Sequence, residues 1–74
     1  FASQCIAVIR ELGIDEDRVN IDGGALALGH PLGASGARIT GKAASLLQRT
    51  NSKRAVATMC IGGGMGIAIA IEAP

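Results

Sequence analysis

The chain has 74 residues and a mass of 7.4 kDa, which limits it to one small domain with a thin core. Its seven basic and six acidic residues give a net charge of +1 and form no basic stripe, which argues against nucleic-acid binding. The longest uncharged stretch, residues 55–71, contains several glycines and is shorter than the roughly 20 apolar residues that span a bilayer. We therefore expect no membrane span.

Small side chains dominate the apolar content. Hydrophobic residues make up 49% of the chain, yet it contains one Phe, no Tyr and no Trp, and it has 11 glycines. Such residues bury little area each, so we expect further polypeptide to cover much of this apolar surface. Two cysteines could form only one disulfide, and no signal-peptide pattern is visible, which favours a reducing compartment.

The first half of the chain predicts a helix, a short strand and a loop. Apolar residues recur on one helical face over residues 1–12, and Gly13 is placed to end that helix. An acidic turn follows at residues 15–17, and the β-branched pair Val19 and Ile21 predicts a short strand over 19–21. Residues 23–36 contain five glycines and no regular period, which predicts a shaped loop.

The second half predicts a helix and a hairpin. Apolar and polar stripes indicate a helix over residues 35–49 with Ser35 as its cap, followed by a turn at 50–52. Strands are expected over 55–61 and 65–71, joined through three glycines. The resulting fold class is α/β, in the order helix, strand, helix, strand, strand. Because both strand faces are apolar, the sheet should be covered on both sides, and these helices cannot do that alone.

His30 is the only histidine and lies between Gly29 and Pro31. Pro31 favours an extended backbone before it, and Gly29 leaves open space beside the imidazole. The N-terminus of the following helix carries partial positive charge, which disfavours imidazolium and favours a neutral donor or base. The alternative is an ordinary surface histidine in a turn, which composition alone favours.

Cys60 ends a predicted strand immediately before Gly62, Gly63 and Gly64. A tuned thiol can act as an acid or base, and glycine amides can form an oxyanion hole. The alternative is a small core cysteine followed by glycines that only turn a hairpin. Cys5 lies on the apolar face of the first predicted helix, where a packing role is the better interpretation.

Two other patterns are rejected as functional motifs. Residues 36–43 nearly spell a phosphate-binding P-loop, but Ala43 stands where Ser or Thr should hold the metal, and the segment lies in a predicted helix. Cys5, His30 and Cys60 are too widely spaced for a structural zinc site and include no Cys-x-x-Cys pair. We therefore expect no metal and no bound cofactor.

Three blocks of the sequence together closely resemble the C-terminal part of the thiolases. They are Asn20-Ile-Asp-Gly-Gly-Ala25, Gly29-His-Pro-Leu-Gly-Ala-Ser-Gly36 and Cys60-Ile-Gly-Gly-Gly-Met-Gly66, and the match runs from Phe1 to Glu72. The resemblance implies residues 1–74 as the C-terminal portion of the thiolase C-terminal domain, with a mixed sheet covered by helices in the full enzyme. It also implies acyltransferase chemistry, either thiolytic cleavage of 3-ketoacyl-CoA or Claisen condensation of acyl-CoA.

The resemblance also implies roles for single residues. His30 matches the histidine that activates the family's nucleophilic cysteine and donates to a thioester oxygen in one oxyanion hole. Cys60 matches the second cysteine, an acid/base, and Gly62 matches a backbone donor of the other oxyanion hole. The nucleophilic cysteine has no counterpart among these residues, so the 74-residue chain is expected to be inactive alone.

Partners and location follow only from the same resemblance. It implies acyl-CoA and coenzyme A as substrates, the remainder of a thiolase chain, and a homodimer or homotetramer. The expected location is cytoplasmic, or mitochondrial or peroxisomal in a eukaryote. Two alternatives stay open: a non-catalytic fragment or interaction piece, and a ketoacyl synthase of the same fold, which is disfavoured because a second histidine is absent.

Overall fold

The computed structural model describes all 74 residues and divides them into two compact units, Phe1–His30 and Pro31–Pro74. The first unit contains helix α1, a short 3-10 helix and helix α2, in that order: Ala2–Leu12, Glu16–Arg18 and Gly24–Leu28. The second unit contains helix α3 and two strands, β1 and β2: Ser35–Arg49, Arg54–Gly62 and Met65–Glu72. No helix in the chain has the length and apolar character needed to cross a bilayer.

Helix α1 confirms the prediction from apolar spacing, including its end at Gly13. Gly13 has a φ of 64°, and its amide donates to the Arg10 carbonyl while the Ile14 amide donates to the Ile9 carbonyl. This pair of bonds is a Schellman motif, which closes the helix where glycine adopts a left-handed conformation. Within the predicted apolar face, Cys5 and Ile9 are half-buried, whereas Leu12 is exposed.

The strand predicted over residues 19–21 is wrong, because the chain bends and turns there instead. Asn20 has a positive φ of 49°, which is incompatible with an extended strand, and its carbonyl accepts a hydrogen bond from the Gly23 amide at 2.7 Å. The Asn20 side chain lies against Gly24, where a Cβ would collide with it. A local turn built around Asn20 therefore overrides the β propensity of its neighbours.

The predicted glycine loop contains a short helix that the sequence did not indicate. Helix α2 occupies Gly24–Leu28 and begins after Gly23, whose φ is 97°. It ends at Gly29, whose φ is 84° and whose amide donates to the Ala25 carbonyl at 2.8 Å. Glycines thus bound a single helical turn, and the remaining residues up to α3 are irregular.

Helix α3 has the predicted bounds, but Ser35 is not its cap. The cap position is Ala34, and Ser35 is the first helical residue. Its hydroxyl donates to the Pro31 carbonyl at 3.0 Å. At the other end Asn51 takes a φ of 52°, and the Ser52 amide donates to Leu47, which closes α3 with a second Schellman motif.

Strands β1 and β2 form the predicted antiparallel hairpin. Their register pairs Ala57 with Ile69, and an exposed ion pair joins Arg54 to Glu72 at 3.4 Å at the open end. The ladder shifts by one residue at Ile61, between Cys60 and Gly62, which is a β-bulge next to the turn. The two turn residues are Gly63 and Gly64, both with positive φ, as type I′ hairpins require.

The core of the second unit lies between α3 and one face of the hairpin. Ala43 and Leu47 of α3 and Ala57 of β1 are only 6–8% exposed, and they are the only buried apolar residues. Because side chains alternate along a strand, the residues between Ala55, Ala57 and Met59 face the other way, and they are exposed. The hairpin is therefore covered on one face by α3 and open on the other.

We predict that Gly63→Ala destabilises the hairpin while Gly41→Ala does not. Gly63 has a left-handed φ of 61°, which costs an alanine about 1–2 kcal/mol. Gly41 lies within α3 with open space around it, where alanine should add about 0.5–1 kcal/mol of stability through helix propensity. Urea unfolding of both variants measures this difference, and equal midpoints would contradict the turn geometry.

Candidate functional site

His30 is the last residue of the first unit and is exposed. It follows Gly29, the residue that ends α2 with a φ of 84° and a ψ of 176°, so the chain leaves that helix abruptly. Apart from its two chain neighbours, no atom lies within 4 Å of the position that a Cβ on Gly29 would occupy. The need for glycine at this position therefore comes from its positive φ and not from lack of space.

The backbone after His30 is fixed by the carbonyl of Pro31. This oxygen accepts hydrogen bonds from the Ala34 amide at 3.0 Å, the Ser35 amide at 2.9 Å and the Ser35 hydroxyl at 3.0 Å. Ser35 is 1% exposed and is the most deeply buried residue of the chain. A hydroxyl in the first helical turn therefore joins the start of α3 to the residue that follows the histidine.

Cys60 lies near the end of β1 on the open face of the hairpin and is exposed. Cys60 does not occupy a core position within these 74 residues, so the alternative of a small core cysteine is not seen here. The neighbour Met59 faces α3, so alternation along the strand places Cys60 on the opposite side. The thiol is outside any disulfide and can be approached from outside the second unit.

Gly62, Gly63 and Gly64 follow Cys60 with φ values of 100°, 61° and 74°. None of them meets a neighbour closer than 3.7 Å at its Cβ position, so space does not require glycine there. The backbone conformation does, because L residues with side chains rarely adopt it. A turn of successive left-handed residues can direct backbone amides toward an anionic oxygen, and these three glycines form such a turn just after Cys60.

The remaining cysteine has a packing environment. Cys5 is half-buried on α1, and the Asn20 side-chain amide lies 3.8 Å from its sulfur as a weak donor. This contact holds the Asn20 turn against α1 and agrees with the interpretation of Cys5 as a structural residue. No group of three or more His, Cys, Asp or Glu side chains is arranged to hold a metal ion.

Two features of α3 were not predicted from the sequence. One is the hydrogen bond from the Ser35 hydroxyl to the Pro31 carbonyl. The sequence signal for this bond was a serine placed four residues after Pro31, because serine side chains often bond the carbonyl four residues earlier. The other is Arg38, whose Nε and Nη2 atoms are buried without a hydrogen-bond partner. Sequence gives no signal for the latter, because arginine on a helix is normally a solvated residue.

Comparison with known sequences identifies the family to which this chain belongs. The family described as thiolase, C-terminal domain, matches residues 1–73. An acetyl-CoA acetyltransferase of Chromobacterium violaceum is 53% identical over 74 residues, and a 3-ketoacyl-CoA thiolase of Bacillus subtilis is 58% identical over 72 residues. The cytosolic acetyl-CoA acetyltransferase of Rattus norvegicus is 54% identical over 72 residues.

The matches cover nearly all of this chain but little of the relatives. The Chromobacterium violaceum match covers 100% of this chain and 19% of that relative. The Bacillus subtilis and Rattus norvegicus matches each cover 97% of this chain and 18% of the relative. The chain therefore spans about a fifth of their length. No solved structure matches it.

We predict that Ser35→Ala lowers stability by about 1 kcal/mol, because it removes a buried hydroxyl donor to Pro31. Ser45→Ala is the control, since it makes the same chemical change at an exposed position of the same helix. It should change stability by less than about 0.5 kcal/mol. Chemical unfolding measures the stability of both variants. An equal effect would contradict a stabilising role for the Ser35 hydroxyl in this loop.

Proposed function

Because the chain belongs to the thiolase family through that family's C-terminal domain, we propose that it supplies part of the active site of a thiolase. The reaction is reversible cleavage of a 3-ketoacyl-CoA by coenzyme A, or condensation of two acyl-CoA molecules. The observation that carries the proposal is an exposed cysteine, Cys60, at a bulge that opens into three left-handed glycines. An acid/base beside aligned amides suits chemistry at a thioester.

His30 is proposed to activate the family's nucleophilic cysteine, which lies outside these residues. It also donates a hydrogen bond to the thioester oxygen in one oxyanion hole. Its exposure, and the hydrogen-bonded turn that begins at the next residue, support this role, because a catalytic group must reach substrate from a fixed backbone. A surface histidine without a catalytic role would not require a fixed backbone on its C-terminal side.

Cys60 is proposed as the acid/base that moves a proton on or off the α-carbon of the acetyl group, or off the thiol of coenzyme A. Its place on the open face of the hairpin lets a substrate approach the sulfur. A carbanion beside a thioester is costly unless its enolate oxygen meets preorganised donors. The His30 imidazole is the donor that these residues contribute to that oxygen.

Gly62 is proposed as a backbone donor of the second oxyanion hole, which serves the acyl-enzyme. Its φ of 100° places its amide in a conformation that a residue with a side chain would not hold. Removing one oxyanion donor typically lowers the rate by about 10² to 10³. Gly62 is paired with Met65 next to the turn, and the bulge at Ile61 shifts it out of the register that Cys60 follows.

The proposed enzyme needs components beyond this chain. Its partners are coenzyme A and acyl-CoA as substrates, the remainder of a thiolase polypeptide, and a second copy or more in a homo-oligomer, with no separate cofactor. We propose a cytoplasmic location, supported by the rat and mouse relatives whose names include the word cytosolic. The second candidate, a non-catalytic piece of 7.4 kDa, is favoured only if the native protein has that mass.

We predict that His30→Ala and Cys60→Ala, made in the full-length protein, each lower the rate of acetoacetyl-CoA thiolysis by about 10² or more. Acylation by an incoming thioester should survive Cys60→Ala better than His30→Ala, because only the histidine acts on the nucleophile. Steady-state thiolysis measures the first effect. Intact mass after incubation with acetyl-CoA measures the second.

Cys5→Ala is the matched control for the cysteine, since it makes the same chemical change at a half-buried packing position. It should retain activity within a few-fold of the parent. Near-parental thiolysis in either His30→Ala or Cys60→Ala would contradict the proposed roles. Equal losses of thiolysis activity in Cys5→Ala and Cys60→Ala would indicate that both substitutions act by disturbing the structure.

We also predict that the 74-residue polypeptide has no thiolysis activity by itself. It offers an acid/base and oxyanion donors but no nucleophile in the position the family uses. The measurement is thiolysis of acetoacetyl-CoA by the purified 74-residue chain beside the full-length protein at equal molarity. Turnover that is lost in Cys60→Ala would show that these residues suffice, which contradicts the prediction.

A further inference from the structure

Arg38 carries an unusual pair of nitrogen atoms. Its Nε and Nη2 are both buried and neither has a hydrogen-bond partner. These two atoms lie on the same edge of the planar guanidinium, the edge that binds the two oxygens of a carboxylate side by side. A buried cationic edge without an acceptor is costly, so native proteins normally provide a partner for it.

The second unit offers no suitable partner of its own. Its side-chain charges are five basic residues and one acidic residue: Arg38, Lys42, Arg49, Lys53 and Arg54, with Glu72. Glu72 is exposed and already paired with Arg54 at 3.4 Å. The five acidic side chains of residues 1–30 do not supply a partner either, because the two nitrogens have none anywhere in the structure, so an anionic acceptor must come from outside the 74 residues.

We propose that Arg38 is an internal anchor, which binds a carboxylate from a segment of the polypeptide outside these 74 residues. The relatives are about five times longer than this chain, so the family's proteins contain much further polypeptide that could provide it. A carboxylate satisfies both orphan donors at once and neutralises the excess positive charge of this unit. This inference does not depend on thiolase activity.

The anchor requires a small movement of the side chain. Neither nitrogen is open to solvent in this conformation, so an outside oxygen cannot reach them as they stand. Arg38 as a residue is only half-buried, and the proposal requires its guanidinium to rotate outward when the carboxylate binds. Arg38 lies one turn after Ser35, so the pair would hold the same end of α3 that Ser35 joins to Pro31.

The test compares Arg38→Met and Arg38→Lys in the full-length protein by thermal unfolding at pH 7.5 and pH 5. Arg38→Met should lower the unfolding temperature at pH 7.5 by roughly 5 °C or more, because it leaves a buried carboxylate unpaired. The loss should shrink by at least half at pH 5, since an unpaired buried carboxylate takes up a proton there and a paired one does not. Arg38→Lys keeps the charge and should fall between parent and Arg38→Met.

Lys53→Met is the control, because it removes one positive charge from an exposed residue of the same unit. It should shift unfolding by no more than about 1 °C at either pH. Unchanged or increased stability in Arg38→Met would overturn the anchor, and a loss that is equal at both pH values would assign a neutral acceptor instead of a carboxylate. If Arg38→Met does not fold, the unfolding temperatures of Arg38→Lys at the two pH values are compared with the parent instead. If neither variant folds at either pH, that result contradicts a pH-dependent charge pair.

Discussion

Helix α3 packs on the hairpin through small side chains, and this close contact determines which face of β1 is available for chemistry. Ala43 of α3 and Ala57 of β1 are both buried, and a Cβ on Gly36 would lie 3.4 Å from the Met59 methyl group. With α3 on the Met59 side, alternation directs Cys60 to the other side. The contact that forms the core therefore also exposes the candidate acid/base.

Both long helices and the hairpin could be predicted from the sequence because each has a signal that acts locally and repeatedly. Apolar spacing specifies α1 and α3, and positive-φ residues at Gly13 and Asn51 end them. Alternating isoleucines and the glycine turn specify the hairpin, with Gly63 and Gly64 in the conformations that its turn requires. These elements depend little on distant chain, so their bounds hold within one or two residues.

The turn that replaces the predicted strand at residues 19–21, and the single turn of α2, could not be predicted because the conformation of one residue, Asn20, decides them. Asn20 adopts a left-handed conformation, accepts the Gly23 amide and fills the space above Gly24. Valine and isoleucine on either side give a β signal, but propensity is a weak preference that one well-placed turn overcomes. The thiol of Cys5, at 3.8 Å, adds a contact that joins residues 15 positions apart.

The sequence alone was enough to select the residues of the candidate site. It did not predict the contacts that support them. His30, Cys60 and Gly62 stand out by their neighbours in sequence, whereas the roles of Ser35 and Arg38 follow from burial. Burial also shows that the second unit has little core of its own. Three buried apolar residues give a small core, and the open face still presents Val56 at 66% exposure. An exposed apolar face of this kind is stabilised when further protein packs on it, because burial removes apolar surface from water.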